Sequence, residues 1–181
     1  MSTYALLAHT QNNGVPGGPL SSATADNMFA KATLNAVQSD SSTMVALASN
    51  QFTFSSTGNY QVNAVVGFGY ASSFAGVSFR AGLYNVTSSA FVPNAGGAVE
   101  IIGESGVAPT VSGGPAAGTL YVNLRGRFNV SSTADAYAIY CAGDSASAVW
   151  FSSTNAQGAP AALVTTGSKN EIYKLVELIK E

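Results

Sequence analysis

The chain has 181 residues, 46% of them apolar, enough for one real core, but only 9% are charged, against roughly 25% in an ordinary domain. Its formal net charge of -2 excludes the basic stripe of a nucleic-acid binder. A single cysteine, Cys141, excludes an internal disulfide, and no segment is long and apolar enough to be a membrane-spanning helix.

A surface that must be built from Ser, Thr, Asn, Gln, Gly and Ala suits a protein fixed in an assembly better than one kept monomeric by charge. The start, Met1 to His9, lacks the basic residues and long apolar run of a signal peptide, so synthesis in the cytoplasm is expected. Tyr4–His9 is a short apolar run, a candidate first strand. Gln11–Pro19 is Gly/Pro/Asn-rich and reads as a turn segment, and Leu20–Asn27 as an exposed loop. Phe29–Ala36 resumes as strand and loop; Met28, Ala32 and Leu34 also sit near helical spacing, so Ala25–Val37 has a weak helical alternative. Gln38–Thr43 is expected to turn.

Asn50–Ala71 is the strongest stretch. Phe52 and Phe54 alternate with polar residues, Ser55–Asn59 is a turn cluster, and Tyr60, Val62, Ala64, Val66 and Phe68 fall on every second position. Period two on both sides of a Gly-Asn turn predicts two antiparallel strands forming a central hairpin. Val77–Val86 alternates again, with Val77, Phe79, Ala81 and Leu83 on one side. Ala95–Gly118 reads as long loops around one brief strand, Val99–Ile102. Leu120–Val130 alternates through Leu120, Val122, Leu124, Phe128 and Val130, and Ala136–Ala142 sets Tyr137, Ile139 and Cys141 on one face. Ala148–Phe151 is short and aromatic, and Ser152–Ser168 is a small-residue loop.

The tail, Glu171–Glu181, fits two periods. Ile172, Leu175, Val176 and Ile179 form a helical stripe, while as a strand it is apolar on both faces, with Tyr173, Leu175 and Ile179 against Ile172, Val176 and Leu178. Gly167 and the β-rich context favour the strand. Short strands between turn signals make the chain an all-β antiparallel sandwich or barrel, a single domain over residues 1–181, with residues 1–30 a strand plus a Gly/Pro-rich loop and 31–181 the main sandwich.

Catalytic and metal chemistry find little to work with. His9 is the only histidine and Cys141 the only cysteine, so a Cys/His zinc site within one chain is excluded. Gly143-Asp144-Ser145 resembles the start of a serine-protease nucleophile loop but lacks the glycines and the paired histidine, and reads as a turn. Glu100 and Glu104 flank Ile101-Ile102 and read as solvated strand-edge charges, not a glycosidase pair. Neither Gly67-Phe-Gly69 nor Gly167-Ser-Lys169 completes a phosphate loop. No enzyme activity and no cofactor are expected. Arg125 and Arg127, flanking Gly126, read as a solvated or acid-paired edge, with contact to an acidic patch on a partner as the alternative.

One series of segments, in this order, resembles a known family: Tyr4-Ala-Leu-Leu, Gly14-Val-Pro-Gly-Gly18, Ala32-Thr-Leu-Asn35, Val45–Phe54, Gly58-Asn-Tyr-Gln-Val62, Leu83-Tyr-Asn-Val-Thr87, Leu124–Val130 and Glu171–Lys180. It resembles a β-jelly-roll module of tailed-bacteriophage virion proteins, itself similar to the trimeric heads of tumour necrosis factor and of the first complement component. Many phage copies carry an aromatic and an arginine before the Leu-Asn pair, where this chain has Met28-Phe-Ala-Lys31, which puts any contact made there in doubt. The resemblance implies a TNF-like jelly roll of eight to ten strands, a homotrimer, on a virion assembled in a bacterial host. With the module beginning at Met1, a capsid decoration or short head-fibre protein bound to the major capsid or other virion proteins is expected. The alternative is a tail or neck knob binding host-surface glycans, with Tyr70, Phe74 and Trp150 as stacking aromatics. The doubly apolar tail strand is expected to put one face in the core and the other against neighbouring subunits, with Tyr173, Leu175 and Ile179 lining the threefold and Tyr4 and Tyr137 beside them.

Overall fold

The structure is a computed structural model that describes residues 3–12, 30–70, 78–97, 99–105, 118–143 and 170–181. Among these residues there are strands and turns and no helix, hence no helix long and apolar enough to cross a membrane. In chain order the strands are β1 (Thr3–Asn12), β2 (Ala30–Lys31), β3 (Ala36–Asp40), β4 (Val45–Ala48), β5 (Gln51–Phe54), β6 (Gly58–Tyr70), β7 (Phe79–Asn85), β8 (Ala90–Phe91), β9 (Ile102–Glu104), β10 (Gly118–Val130), β11 (Ala136–Gly143) and β12 (Asn170–Lys180).

They form two antiparallel sheets. One has five strands in the order β10-β6-β12-β1-β3; the other has seven, with the path β4-β5-β11-β7-β8, β2 added on β11 and β9 added on β7. From β5 onward the long strands alternate between the sheets: β5, β7 and β11 in one, β6, β10 and β12 in the other. That back-and-forth winding is the jelly roll. β1 and β12 lie side by side in the five-stranded sheet, paired from Thr3↔Lys180 to Asn12↔Asn170 with one irregularity at His9/Thr10.

The alternations in the sequence set which residues meet in the middle. Val62 and Ala64 of β6, Leu124 and Phe128 of β10, and Val176 and Leu178 of β12 face Phe52 and Phe54 of β5, Ala81 and Leu83 of β7, and Ile139 of β11, all buried. Phe54 is at the hub of an aromatic cluster, with ring centroids 4.3 Å from Tyr60, 5.4 Å from Tyr137 and 5.9 Å from Phe128. Fully burying such a ring contributes about 1.5–3 kcal/mol.

Two expectations are corrected. β5 and β6 are not a hydrogen-bonded hairpin: β5 pairs with β4 and β11, and β6 with β10 and β12. Ser55–Thr57 carries the chain from one sheet to the other, and Gly58, at φ 136°, takes a backbone conformation that side chains rarely adopt. The alternation reported correctly that both runs point inward; it carries no information about which strand each pairs with. The region expected to turn at Gln38 is instead strand β3, paired with β1, and the turn follows at Ser41–Thr43. Asp40 makes that turn. Its carboxylate accepts from the backbone N–H groups of Ser42, Met44 and Val45 at 3.2, 2.7 and 3.0 Å. Partial burial acts to raise its pKa, but these donors outweigh it and hold the group below its ordinary value. Residues 30–37 are β2, a link and the start of β3, in keeping with the strand-and-loop reading and not with its helical alternative.

Candidate functional site

The outer face of the five-stranded sheet is where this chain departs from a self-contained sandwich. In β12, Lys174, Val176 and Leu178 are buried and Leu175, Glu177 and Ile179 between them are half-buried. The strand at the tail is therefore real, and its two faces divide as the alternation predicts. Val176 and Leu178 enter the core; Leu175 and Ile179 do not.

Strand register assembles the outer face in rows. Tyr4, Ile179, Gln61 and Arg127 stand opposite one another across β1, β12, β6 and β10. The next row is Leu6, Glu177, Asn63 and Arg125, and the next Ala8, Leu175, Val65 and Asn123. Tyr121 stands one step further along β10, 57% exposed, with Tyr4 at 41% and Val65 at 40%. Leu6, Val65, Leu175, Asn63, Glu177, Asn123 and Arg125 line a depression of about 350 Å³ on this face.

Its polar residues are partly tied together. Gln61 Nε2 donates to Asn63 Oδ1 at 3.1 Å, and Asn63 Nδ2 donates to Glu177 Oε2 at 2.9 Å. Arg127 pairs with Glu181 at 2.8 Å, the acid-paired edge expected for it. Among the described residues Arg125 makes no ion pair. Between the two arginines, Gly126 is buried because Ile101 occupies the space above it; a methyl there would come within 2.6 Å of Ile101 Cγ1.

Of the five residues expected at a subunit contact, Tyr4, Leu175 and Ile179 share this outer face. The backbone of Tyr173 lies on the same strand; its side chain falls outside the described residues. Tyr137 is in a different place. It sits on β11 of the other sheet, 2% exposed and packed against Phe52, Phe54 and Phe128. Burial, with Asp135 nearby, pushes its hydroxyl up to about 12. Tyr137 thus belongs to the sandwich interior, since its parity on β11 aligns it with Ile139 and Cys141. Sequence reasoning missed Leu6, Val65, Tyr121 and Glu177 as members of the face; all four carry the outward parity of their strands, which needed the strand register to become visible.

A second feature was also missed. Lys174 takes an inward position on β12, 1% exposed, and its Nζ lies 2.9 Å from Nδ1 of His9, which is fully buried on β1. Burial, then the charge of Lys174, holds His9 down to about 4; burial takes Lys174 down to about 8. Cys141 is close enough to interact with Lys174, and burial pushes its thiol up to about 12. His9 is thus an interior residue.

The remaining candidates are ordinary. Glu104 pairs with Arg80 at 3.3 Å, both half exposed, and accepts from Ser78; Glu100 is exposed in a bridge with Pro93. Among the described residues no group of three or more His, Cys, Asp or Glu is placed to hold a metal ion. Phe29, Phe74, Asp144, Ser145 and Trp150, and the side chain of Tyr70, lie outside the described residues.

No protein-family model and no curated protein matches the chain. Among solved structures it is similar to murine APRIL in crystal structures at pH 5.0, 8.0 and 8.5, at 9%, 11% and 10% identity and TM-scores of 0.49, 0.48 and 0.48, each covering 100% of both chains. These neighbours are jelly-roll sandwiches of the tumour-necrosis-factor family, and they do not bear on a bacteriophage origin. The all-β antiparallel jelly roll of this chain stands on its own strand order.

Proposed function

We propose that the chain is a non-enzymatic assembly module, a homotrimer joined through the outer face of the five-stranded sheet, serving as a decoration or short head-fibre protein on a bacteriophage capsid. One observation carries the assembly reading: Tyr4, Leu6, Val65, Tyr121, Leu175 and Ile179, from four adjacent strands, leave one sheet face apolar and partly open. A monomer gains nothing from a strand that is apolar on both sides, whereas burying such a face between copies gains about 25 cal/mol per Å². The virion part rests on the sequence resemblance.

Light scattering at micromolar concentration should give three times the chain mass, and Leu175→Asp should give monomer or aggregate. A wild-type monomer, or an unaltered L175D trimer, overturns the assembly reading. For the virion role, particles stripped of the protein should lose thermal stability and regain it when the trimer, but not L175D, is added back. Unchanged particles, or no rebinding, would remove capsid decoration.

A receptor-binding knob is the second reading, favoured by the half-buried aromatics Tyr84, Phe91 and Tyr140 on the seven-stranded sheet, with centroids 5.1 Å apart for Tyr84–Phe91 and 4.4 Å for Tyr84–Tyr140. Rings of this kind stack on sugar faces. Specific binding on a host-glycan array, lost in Tyr84→Ala, supports the knob; a blank array removes it.

A further inference from the structure

On the outer face of the five-stranded sheet Arg127 is already paired with Glu181, and one row carries two charged residues that make no ion pair among the described residues. In that row Glu177 stands on β12, the central strand, and Arg125 on β10, the edge strand, with Asn63 of β6 between them. Two strand spacings separate the two charged residues, about 10 Å. Glu177 is half-buried, and the group that donates to it is a neutral amide, the Asn63 side chain at 2.9 Å. That amide is itself fixed by Gln61 at 3.1 Å, so the carboxylate is held at one place on the face. Arg125 is exposed and makes no ion pair among the described residues. Both groups line the same depression of about 350 Å³, over Leu6, Val65 and Leu175.

Covering this face with any apolar partner would strip water from a carboxylate and a guanidinium and leave each without an opposite charge. Burying a charge without an opposite partner is strongly unfavourable, so an apolar occupant is disfavoured. An occupant that brings a guanidinium to Glu177 and a carboxylate to Arg125 removes that penalty. A second copy of this chain carries both. We infer that Arg125 of each copy pairs with Glu177 of its neighbour, closing a ring of three ion pairs at the subunit contact; this rests on the trimer reading above.

The positions suit that ring. The guanidinium is on an edge strand and the carboxylate at mid-sheet, so the edge of one sandwich laid against the face of the next brings them together. Such a contact is heterologous: each copy gives one arginine and receives one, and a cyclic arrangement closes it. Arginine also matches the carboxylate with two parallel N–H donors, using the oxygen that Asn63 leaves free as well as Oε2. The apolar side chains supply the area, and the charge pair fixes the register between copies.

The test is a charge swap read by sedimentation of the full chain at matched concentration and roughly 0.1 M salt. Glu177→Arg and Arg125→Glu should each weaken the trimer by roughly tenfold or more, and the double variant should recover to within a few-fold of wild type. Glu177→Gln, which keeps an acceptor for Asn63, should weaken it in the same direction while leaving the circular dichroism spectrum of the fold unchanged. Singles that assemble like wild type, or a double variant no better than the worse single, would overturn the ion-pair ring. A wild-type trimer that ignores both reversals yet falls apart as L175D sinks only this inference. A wild-type monomer or dimer sinks the trimer reading beneath it.

Discussion

His9 and Lys174 decide how this core responds to acid. Lys174 Nζ donates to Nδ1 of a neutral His9 across 2.9 Å, with both side chains buried and Cys141 close by on β11. Burial strips water from a protonated His9, and the Lys174 charge beside it adds to the cost, which is why its folded pKa falls from 6.5 to about 4. For a base depressed on folding, the contribution to stability is fully present above the unfolded value and lost as pH falls through the folded one. The window is therefore about 6.5 down to about 4, and the loss across it is up to about 3 kcal/mol. His9 is the only histidine, so no other side chain of ordinary pKa titrates between about 5 and 6.5. The urea midpoint should drop steadily from pH 7 to pH 5 in wild type and hold flat in His9→Gln. Parallel profiles for the two proteins would remove this account. Lys174→Met should also lessen the drop, because the neighbouring positive charge is gone.

At the scale of elements, the crossing of β9 over β10 depends on two glycines that occupy different kinds of space. A methyl on Gly126 would meet the side chain of Ile101, which has some freedom to move; a methyl on Gly103 would overlap the backbone carbonyl of Asn123, which has little. Gly126→Ala should cost about 1–3 kcal/mol in chemical denaturation and Gly103→Ala more. Equal or negligible losses would mean that the crossing is looser than described. Such elements also mark what was legible in the sequence. The inward sets on β6, β7, β10, β11 and β12 follow directly from period two, because alternation is a local property of the strand. Pairing is not local, so the jump from β5 to β6 between sheets was hidden behind what looked like a hairpin. The outer face was half legible. Leu175 and Ile179 were visible as the second apolar side of the last strand, but Leu6, Val65 and Tyr121 joined them only once register set those strands side by side. Tyr137 was expected on a strand beside the tail strand, but strand adjacency is not a local property, and β11 lies in the other sheet with Tyr137 facing the core. Lys174 was missed because a charged residue inside an apolar stripe reads as the stripe's solvent side, and here it is the opposite.

For the molecule as a whole, the scarcity of charge and the open apolar face bear on one another. With 9% charged residues and a net charge of -2, little electrostatic repulsion keeps copies apart. A face bearing Tyr4, Leu6, Val65, Tyr121, Leu175 and Ile179 on such a surface is either covered by a partner, another copy included, or a source of uncontrolled aggregation. A closed ring resolves this, because it consumes the face in a fixed number of contacts and leaves no end open for growth. If the native species is a trimer and the unfolded one a single chain, mass action makes thermal stability depend on concentration. The melting temperature should rise by roughly a few degrees for each tenfold increase in protein, measured by calorimetry where unfolding is reversible. Any Leu175→Asp chain that remains soluble and folded should melt at one temperature throughout, since its unfolding no longer includes dissociation. A wild-type melting point that stays constant over a hundredfold range of concentration, with no mass above that of one chain, would mean that the sandwich completes itself alone and that its open face serves a different partner.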